Sequence, residues 1–295
     1  MSSFTGGPGP ADYPDVPDTL AQGVPAEAAT YQELPAEWRE RERRRVTEES
    51  APAAGELLAA AEEVIAAAAA ADITLRLLGG VAVFHLAPSA RESPLARTYH
   101  DFDVVVPSRQ GGPARRVFRA SGYTENAHFN ALHGAQRMIF AAPAGFVVDV
   151  LVGTFQMCHR LELGRDLPGH GLTIHPADLL LTKLQIVQIE DKDLRDATAL
   201  LLDLPTDGSA AGLDVGRFVA PLANDWGFFH TVERNLPRVE QYARDRLGAG
   251  EAQAVAASAS RLREAMEAAP KSLRWKMRAR VGEKVTWYEL PEEPD

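Results

Sequence analysis

The sequence has 295 residues, of which 45% are hydrophobic and 24% are charged, and its formal net charge at pH 7 is −10. This length corresponds to one large domain or two small ones and is sufficient to bury a hydrophobic core. The negative charge argues against nonspecific binding of duplex DNA by the whole surface.

Membrane and secreted classes are also disfavoured. No apolar run is long enough for a transmembrane helix, and residues 1–10 lack the basic start and apolar segment of a secretory signal. The single cysteine, Cys158, cannot form an internal disulfide or make up a cysteine zinc site. We therefore expect a cytoplasmic protein without a membrane partner.

The chain starts with a segment that lacks any periodic hydrophobic pattern. Residues 1–35 are rich in Pro, Gly and Ala, which predicts a disordered arm. Charges of alternating sign follow from Glu37 to Arg45 and predict an exposed helix with ion pairs along its surface. The alanine-rich stretch from Ala54 to Ala71 predicts a further helix.

The next hundred residues or so alternate between strand and helix patterns. A strand is predicted to end at Gly79-Gly80, and two strands are predicted to form a hairpin around Pro143-Ala144-Gly145. In chain order the predicted elements are strand Ile73 to Leu78, helix Val81 to Leu86, strand Asp101 to Val106, helix Ala114 to Ser121, and strands Gln136 to Ala142 and Phe146 to Val152.

The remainder is mostly helical in pattern. After a short strand at Thr173-Ile174, Pro176 is well suited to the first position of a helix. Pro237 is expected to kink or end the helix that contains it. The predicted helices are Asp178 to Ile189, Leu194 to Leu202, Trp226 to Leu247 and Glu251 to Ala268. Together these patterns predict an α+β fold, with a small mixed β-sheet, flanking helices and a helical C-terminal part.

A basic segment stands out against the acidic remainder. Residues 271–284 carry a net charge of +5, which leaves −15 for the other 281 residues. With Trp275 and Trp287 nearby, this segment is suited to phosphates or single-stranded nucleic acid, although a solvated basic edge against an acidic body explains it equally well. We expect removal of residues 271–295 to weaken binding of a polyanionic substrate. The candidate substrate-binding residues are Arg274, Lys276, Arg278 and Arg280.

Three aspartates lie on predicted strands. Asp101 and Asp103 are two residues apart, so both carboxylates point to one face of their strand. Asp149 lies within an apolar, β-branched run, where a charge is costly unless it faces a cleft or a metal. A hard cation such as Mg²⁺ takes oxygen ligands and would relieve the repulsion between them. The alternative is a structural helical protein in which this pattern is accidental.

Gly79 and Gly80 lie where a predicted strand passes into a helix. Glycines at such a position allow close approach of the backbone, and the free amides of a helix N-terminus can bind an anion. A tight turn that requires positive φ explains the same residues without a ligand.

These residues carry a resemblance. Leu78-Gly79-Gly80, followed by Asp101-Phe102-Asp103 and later by Asp149, resembles the polymerase-β-type nucleotidyltransferase superfamily. The segment Pro176 to Asp203, with Lys183 and Asp193-Leu194-Arg195-Asp196, is similar to the helical region of AbiEii-like toxin nucleotidyltransferases.

The resemblance implies a role for each residue. Asp101, Asp103 and Asp149 would be catalytic and would bind Mg²⁺ or Mn²⁺. Gly79, Gly80, Arg97 and Lys183 would bind a nucleoside triphosphate such as ATP. The implied reaction transfers a nucleoside monophosphate to an acceptor hydroxyl, on RNA such as tRNA or on a small molecule, and a toxin of this type would have a cognate antitoxin.

The predicted organisation follows from these assignments. We expect a nucleotidyltransferase core with N-terminal helices over residues 36–175, a helical domain over 176–270 and a basic, Trp-containing tail over 271–295. The basic tail favours an RNA acceptor, whereas the acidic body favours a cationic small molecule. The alternative function is a catalytically inactive nucleotide-binding or interaction module, which the complete set of three aspartates argues against.

Overall fold

The computed structural model describes residues 51–164, 167, 171–206 and 212–289. The arm predicted for residues 1–35 and the charged run from Glu37 to Arg45 lie outside the described residues. The described residues belong to one unit of the chain, which spans Ala51–Glu292. The domain boundaries proposed at 175/176 and 270/271 stay predictions.

The first described helix, α1, spans Ala54–Ala70 and confirms the alanine-rich prediction. Its apolar residues recur at helical spacing and face the interior, where α1 packs against the sheet. The Glu56 carboxylate accepts a hydrogen bond from the Ala53 amide at 3.2 Å, which satisfies one of the free donors at the start of the helix. The buried residues of α1 are Leu57, Ala61, Val64, Ile65 and Ala68.

Five strands form a mixed sheet in the order β1-β2-β5-β4-β3. Strand β2 is parallel to β5, whereas the other neighbouring pairs are antiparallel. The β4–β5 hairpin turns through Gly145, whose φ of +90° favours glycine. The strands are β1 (Arg76–Leu78), β2 (Asp101–Val106), β3 (Thr124–Glu125), β4 (Arg137–Ala141) and β5 (Val147–Val152).

Alternation along the two central strands decides which side chains enter the core. Phe102 and Val104 of β2 and Val148 and Val150 of β5 are fully buried. Because side chains alternate between the faces of a sheet, Asp101, Asp103 and Asp149 project from the opposite face. The core thus fixes the direction of all three carboxylates.

Helices and a small hairpin surround the sheet. Helix α2 begins at Gly79 rather than at the predicted Val81. The helix Ala127–His133 and the hairpin of Thr154–Gln156 with Arg160–Glu162 are not predicted from the sequence, because each is short. Asn126 caps the start of this helix, since its side chain accepts a hydrogen bond from the Phe129 amide at 3.1 Å. The elements are α2 (Gly79–Leu86), α3 (Gly111–Ala120), α4 (Ala127–His133), β6 (Thr154–Gln156) and β7 (Arg160–Glu162).

The C-terminal part consists of helices. Of the two expectations for Pro237, a kink or the end of its helix, the second is wrong, because helix α8 (Trp226–Arg246) continues through this residue. Its buried side chains at Val232, Leu236 and Val239 pack against neighbouring helices, and this packing outweighs the one backbone donor that proline removes. The helices are α5 (Pro176–Leu184), α6 (Asp191–Asp203), α7 (Val215–Leu222), α8 (Trp226–Arg246), α9 (Ala249–Ala268) and α10 (Leu273–Val281).

The predicted α+β class is confirmed: a small mixed sheet, flanking helices and a helical C-terminal part share one continuous cluster of buried apolar side chains. In the part of the chain that the structure describes, no helix is both long and apolar enough to span a bilayer.

Phe118 provides a test of this core. Its ring stacks on that of Phe140 at 4.7 Å between centroids, and both residues are fully buried. We expect Phe118→Ala to lower the free energy of unfolding by about 3–5 kcal/mol, because it removes buried area and leaves a cavity. Urea denaturation measures this. Leu132→Ala, at a residue that is 67% exposed, should change stability by less than about 0.5 kcal/mol; similar effects for both variants would contradict the assignment.

Candidate functional site

The pairing of β2 with β5 brings the three predicted carboxylates together. Asp103 lies directly opposite Asp149 in the parallel register, and Asp101 lies two residues before Asp103 on the same face. Neighbouring strands are about 4.8 Å apart, so the three residues share one small surface. The alternative of a purely helical protein is therefore wrong.

The backbone of Gly79 lies close to the Asp103 carboxylate. Leu78 pairs with Asp103 across β1 and β2, and the chain then turns into α2 at Gly79 with φ of +71°. A Cβ atom at Gly79 would lie 1.9 Å from Oδ2 of Asp103. Only glycine allows both this backbone conformation and the close approach of the carboxylate.

Among the residues that the structure describes, two of the three carboxylates have no cationic side chain bonded to them. Asp101 is exposed and Asp103 half-buried, and neither forms an ion pair within the described ranges of the chain. Burial, together with the negative charges of Asp101 and Asp149, raises the pKa of Asp103 well above its usual value. Asp101 keeps contact with solvent, but the protein around it and the charge of Asp149 also raise its pKa.

Asp149 forms an ion pair with Arg137, a contact that the sequence alone does not predict. The Nε–H of Arg137 donates to both carboxylate oxygens, at 2.8 and 2.9 Å, and the Nη2 group contacts Oδ2. This hydrogen bonding to Asp149 is the main reason why the pKa of Arg137 is raised. Ile139 pairs with Asp149, so Arg137 is its diagonal neighbour on the same face. Only the hairpin register reveals this contact.

The donor set suits a hard divalent cation, with one rearrangement. Carboxylate oxygens are the ligands that Mg²⁺ and Mn²⁺ prefer, and among the described residues no ion pair occupies the oxygens of Asp101 and Asp103. As the side chains stand, no group of three or more His, Cys, Asp or Glu residues among those described surrounds a common metal position. Asp149 would have to exchange Arg137 for the cation.

The two predicted nucleotide-binding cations meet at one buried carboxylate. Arg97 donates to Asp196 through Nε at 2.9 Å and through Nη2 at 2.8 Å, and Lys183 Nζ lies 2.9 Å from Asp196 Oδ2. Asp193 lies 3.8 Å from Lys183 and completes a cluster of two cations and two anions. Burial acts to raise the pKa of Asp196, but the charges of Lys183 and Arg97 outweigh it and lower that pKa.

The position of Arg97 also explains why residue 80 is a glycine. A Cβ atom at Gly80 would lie 2.1 Å from Nη2 of Arg97 and 2.9 Å from the ring of Tyr99. The guanidinium lies over that ring, 4.2 Å from its centroid. Burial, followed by the nearby charge of Asp196, raises the pKa of Tyr99 to about 12. The space above the two glycines is thus occupied by Asp103 and Arg97.

Residues 273–281 of the predicted basic tail form helix α10, which packs against α8. Arg278 donates to the carbonyls of Gly282 and Val285, at 2.6 and 2.7 Å, so its guanidinium holds the chain that follows α10. Arg274, Lys276 and Arg280 are exposed and form no ion pair with any described residue. None of the four contacts the carboxylate site, and their role in substrate binding stays a prediction.

Asp196 should be essential for stability. We expect Asp196→Asn to lower the free energy of unfolding by about 3 kcal/mol, because Arg97 and Lys183 would then remain buried without their shared counter-charge. Chemical denaturation at pH 7 measures the change. Asp191→Asn is the matched control on the same helix: its carboxylate is 52% exposed beside Arg195, and the expected cost is below about 1 kcal/mol. Equal costs would contradict the role of Asp196.

Asp103 should destabilise the metal-free protein at neutral pH. Because its pKa is raised by folding, the folded state binds the proton more tightly than the unfolded state, and the destabilising contribution of Asp103 should decrease as pH falls through the folded-state pKa. Asp103→Asn should therefore be more stable than the wild type at pH 7, and the difference should shrink on acidification.

Thermal unfolding in a chelator, repeated across pH, measures this difference. Asp245→Asn, at an exposed residue near the end of α8, serves as the control and should keep the wild-type pH dependence. A lower stability of Asp103→Asn at pH 7 would contradict the electrostatic account.

Comparison with known proteins finds similar solved structures but no sequence relative. No family model and no curated protein matches the chain. The solution structure of the antibiotic-resistance factor ANT(2'')-Ia shares 11% identity over 73% of this chain and 97% of the other, with a TM-score of 0.31. An antigenic nucleotidyltransferase-like protein from Paracoccidioides brasiliensis shares 14% identity over 74% and 94%, with a TM-score of 0.34. Because both TM-scores are low, neither structure carries an argument about the function of this chain.

Proposed function

We propose that the protein is a nucleotidyltransferase of the polymerase-β type, which transfers a nucleoside monophosphate from a nucleoside triphosphate to an acceptor hydroxyl. One observation carries this proposal: the register of β2 and β5 sets Asp103 opposite Asp149, with Asp101 on the same face, beside the Gly79 turn that begins α2. Carboxylates on neighbouring strands beside a helix N-terminus can serve a cation and a polyphosphate together.

The aspartates would have distinct tasks. Asp101, Asp103 and Asp149 would hold Mg²⁺ or Mn²⁺, which when bound supplies charge neutralisation for an in-line displacement at the α-phosphorus. In that displacement the acceptor oxygen bonds to phosphorus, the bond to pyrophosphate breaks, and Asp149 orients the acceptor hydroxyl and receives its proton.

Arg97 and Lys183 would neutralise the triphosphate. Burial acts against their charged forms, but Asp196 and its neighbours hold the pKa of both groups above their ordinary values, so both stay protonated at neutral pH. Asp196 also fixes their positions, since one carboxylate binds both side chains. The two cations are therefore preorganised rather than recruited during the reaction.

A second candidate function is a nucleotide-binding or interaction module without catalytic activity. The ion pair of Arg137 with Asp149 favours it, because the third carboxylate is already occupied. Such a module would bind a nucleoside triphosphate without transferring any part of it.

The finer assignments rest on the resemblance of residues 176–203 to AbiEii-like toxins. It supports a cytoplasmic toxin that transfers a nucleotide, from ATP or another nucleoside triphosphate, to an acceptor such as tRNA, and that has a cognate antitoxin as its partner. Lys183, Asp193 and Asp196 lie in one buried cluster, which supports a role for this segment in nucleotide binding.

A transfer assay tests the proposal. Each of the four nucleoside triphosphates, labelled at the α-phosphate, is incubated with a tRNA pool or small hydroxylated acceptors in Mg²⁺ or Mn²⁺. The wild type should label one acceptor class, and Asp101→Asn or Asp103→Asn should reduce the rate by at least about a hundredfold, because each removes a carboxylate on which charge stabilisation depends.

Asp245→Asn is the matched control and should keep the wild-type rate. Transfer by Asp103→Asn at the wild-type rate would refute the proposal. Binding of a triphosphate by the wild type with no labelled product from any acceptor would favour the inactive module.

A further inference from the structure

A cavity lies apart from the carboxylate site. It has a volume of about 400 Å³ and lies between α8 and the segment 285–289 that follows α10, hereafter the C-terminal strap. None of its lining residues belongs to the carboxylate site. Its lining includes Thr231, Arg234, Asn235 and Arg238 of α8 and Trp287 and Tyr288 of the strap.

One wall of the cavity is positively charged. Arg234 and Arg238 are both exposed and lie one helical turn apart on the same face of α8. Arg238 makes long hydrogen bonds to Asn235 Oδ1 and the Ile189 carbonyl, at 3.4 and 3.3 Å, and no ion pair with any described residue. Arg234 uses Nη1 for an ion pair with Glu283 Oε1 at 3.4 Å, and its other donors remain. The two guanidinium groups therefore keep donors for an anion, and their planar geometry suits a phosphate.

The opposite wall is aromatic and fixed in place. The indole N–H of Trp287 donates to Thr231 Oγ1 at 3.2 Å, and that oxygen lies 2.8 Å from His159 Nε2. Burial lowers the pKa of His159 to about 4, so its ring is neutral and Nε2 can accept the Thr231 proton. The ring of Tyr288 packs edge-on against Trp287, with centroids 5.2 Å apart. Fixed aromatic rings of this kind stack on nucleobases.

Hydrogen bonds hold the strap in place on both sides of Trp287. Before it, Arg278 donates to the carbonyls of Val285 and Thr286, at 2.7 and 3.3 Å. After it, the Glu289 amide donates to the Cys158 carbonyl at 3.1 Å, and the Glu289 carboxylate accepts from Gln156 at 2.5 Å. The cavity is thus formed before any ligand arrives, which lowers the entropic cost of binding.

The floor of the cavity is attached to the helix that carries Lys183. Asn235 Nδ2 donates to the carbonyls of Leu184 and Ile186, at 2.9 and 2.8 Å. Leu184 directly follows Lys183 at the end of α5. A ligand in the cavity would therefore lie against the part of the fold that positions a proposed nucleotide-binding cation.

We propose that this cavity binds a phosphate and an unpaired base of a single-stranded nucleic acid, and so holds the acceptor strand. This inference rests on the proposed transferase function. Arg234 and Arg238 attract the phosphate, and Tyr288 and Trp287 supply the stacking surface. A cationic small-molecule acceptor would meet two like charges there, which disfavours the other acceptor class that the overall charge suggests.

Binding of a short, unstructured, fluorescein-labelled RNA tests the proposal by anisotropy. The double variant Arg234→Ala/Arg238→Ala should weaken binding at least about tenfold and reduce the magnitude of the slope of log affinity against log salt by about 0.7, because the neutralisation of one phosphate is lost. Arg244→Ala/Arg246→Ala removes the same charge from the same helix and should stay within about twofold of wild type. Equal weakening by both double variants would overturn the proposal.

The aromatic wall has its own matched pair. Tyr288→Ala should weaken RNA binding several-fold, within the range of about 1–3 kcal/mol that stacking contributes per base, whereas Tyr288→Phe keeps the ring and should bind like the wild type. Unchanged binding by Tyr288→Ala, with its fold verified by thermal unfolding, would refute the stacking role.

Competition distinguishes the two sources of this ligand chemistry. Displacement of the RNA by AMP at the same site identifies a single nucleotide as sufficient, and displacement only by longer RNA identifies the strand. The assay contains no nucleoside triphosphate and no divalent cation, so loss of this proposal would leave the transferase reaction standing. Asp103→Asn should bind the RNA like the wild type, even where it fails in transfer.

Discussion

The parallel pairing of β2 with β5 is the constraint on which the site depends. It sets two carboxylates directly across from each other, and a third on the same face, although like charges at such a distance repel. Buried apolar side chains on the other face of the same strands, including Phe102 and Val148, hold the pairing together. Hydrophobic burial therefore offsets the electrostatic cost, and the protein retains a cluster of negative charge that folding alone would not select.

The surroundings limit that cost in two ways. Arg137, on the neighbouring hairpin strand, forms an ion pair with Asp149. Gly79 has no side chain, so the Asp103 carboxylate can lie against the backbone there. On the side of the helices, Asp196 joins Arg97 to Lys183, so the loop before β2 and helices α5 and α6 meet at one carboxylate. Anions thus gather on the sheet and cations at its margin, with the α2 N-terminus between them.

Local patterns predicted much of this fold. The bounds of β2 were fixed by an apolar run that ends at Pro107, and the start of α5 by a proline at its first position, so both are confirmed. The positions of Asp101 and Asp103 on one face followed from the strand period alone. The proximity of Asp149 required only that two predicted strands be neighbours.

What could not be predicted depends on contacts distant in sequence. Arg137 reaches Asp149 only through the hairpin register, and no local pattern predicts that Arg278 donates to backbone carbonyls. The continuation of α8 through Pro237 likewise reflects tertiary packing, which overrides local helix preference. Short elements such as β6 and β7 have too few residues for a periodic pattern.

The fastening of the strap has a consequence for biosynthesis. Glu289 bonds to Gln156 and Cys158 across more than a hundred residues of sequence, whereas the strands that carry the aspartates lie within some fifty residues of one another. On a ribosome the sheet can therefore assemble while the helices are still being translated. The cavity beside α8 can close only after residue 289 has emerged, so the order of synthesis separates the maturation of the two sites.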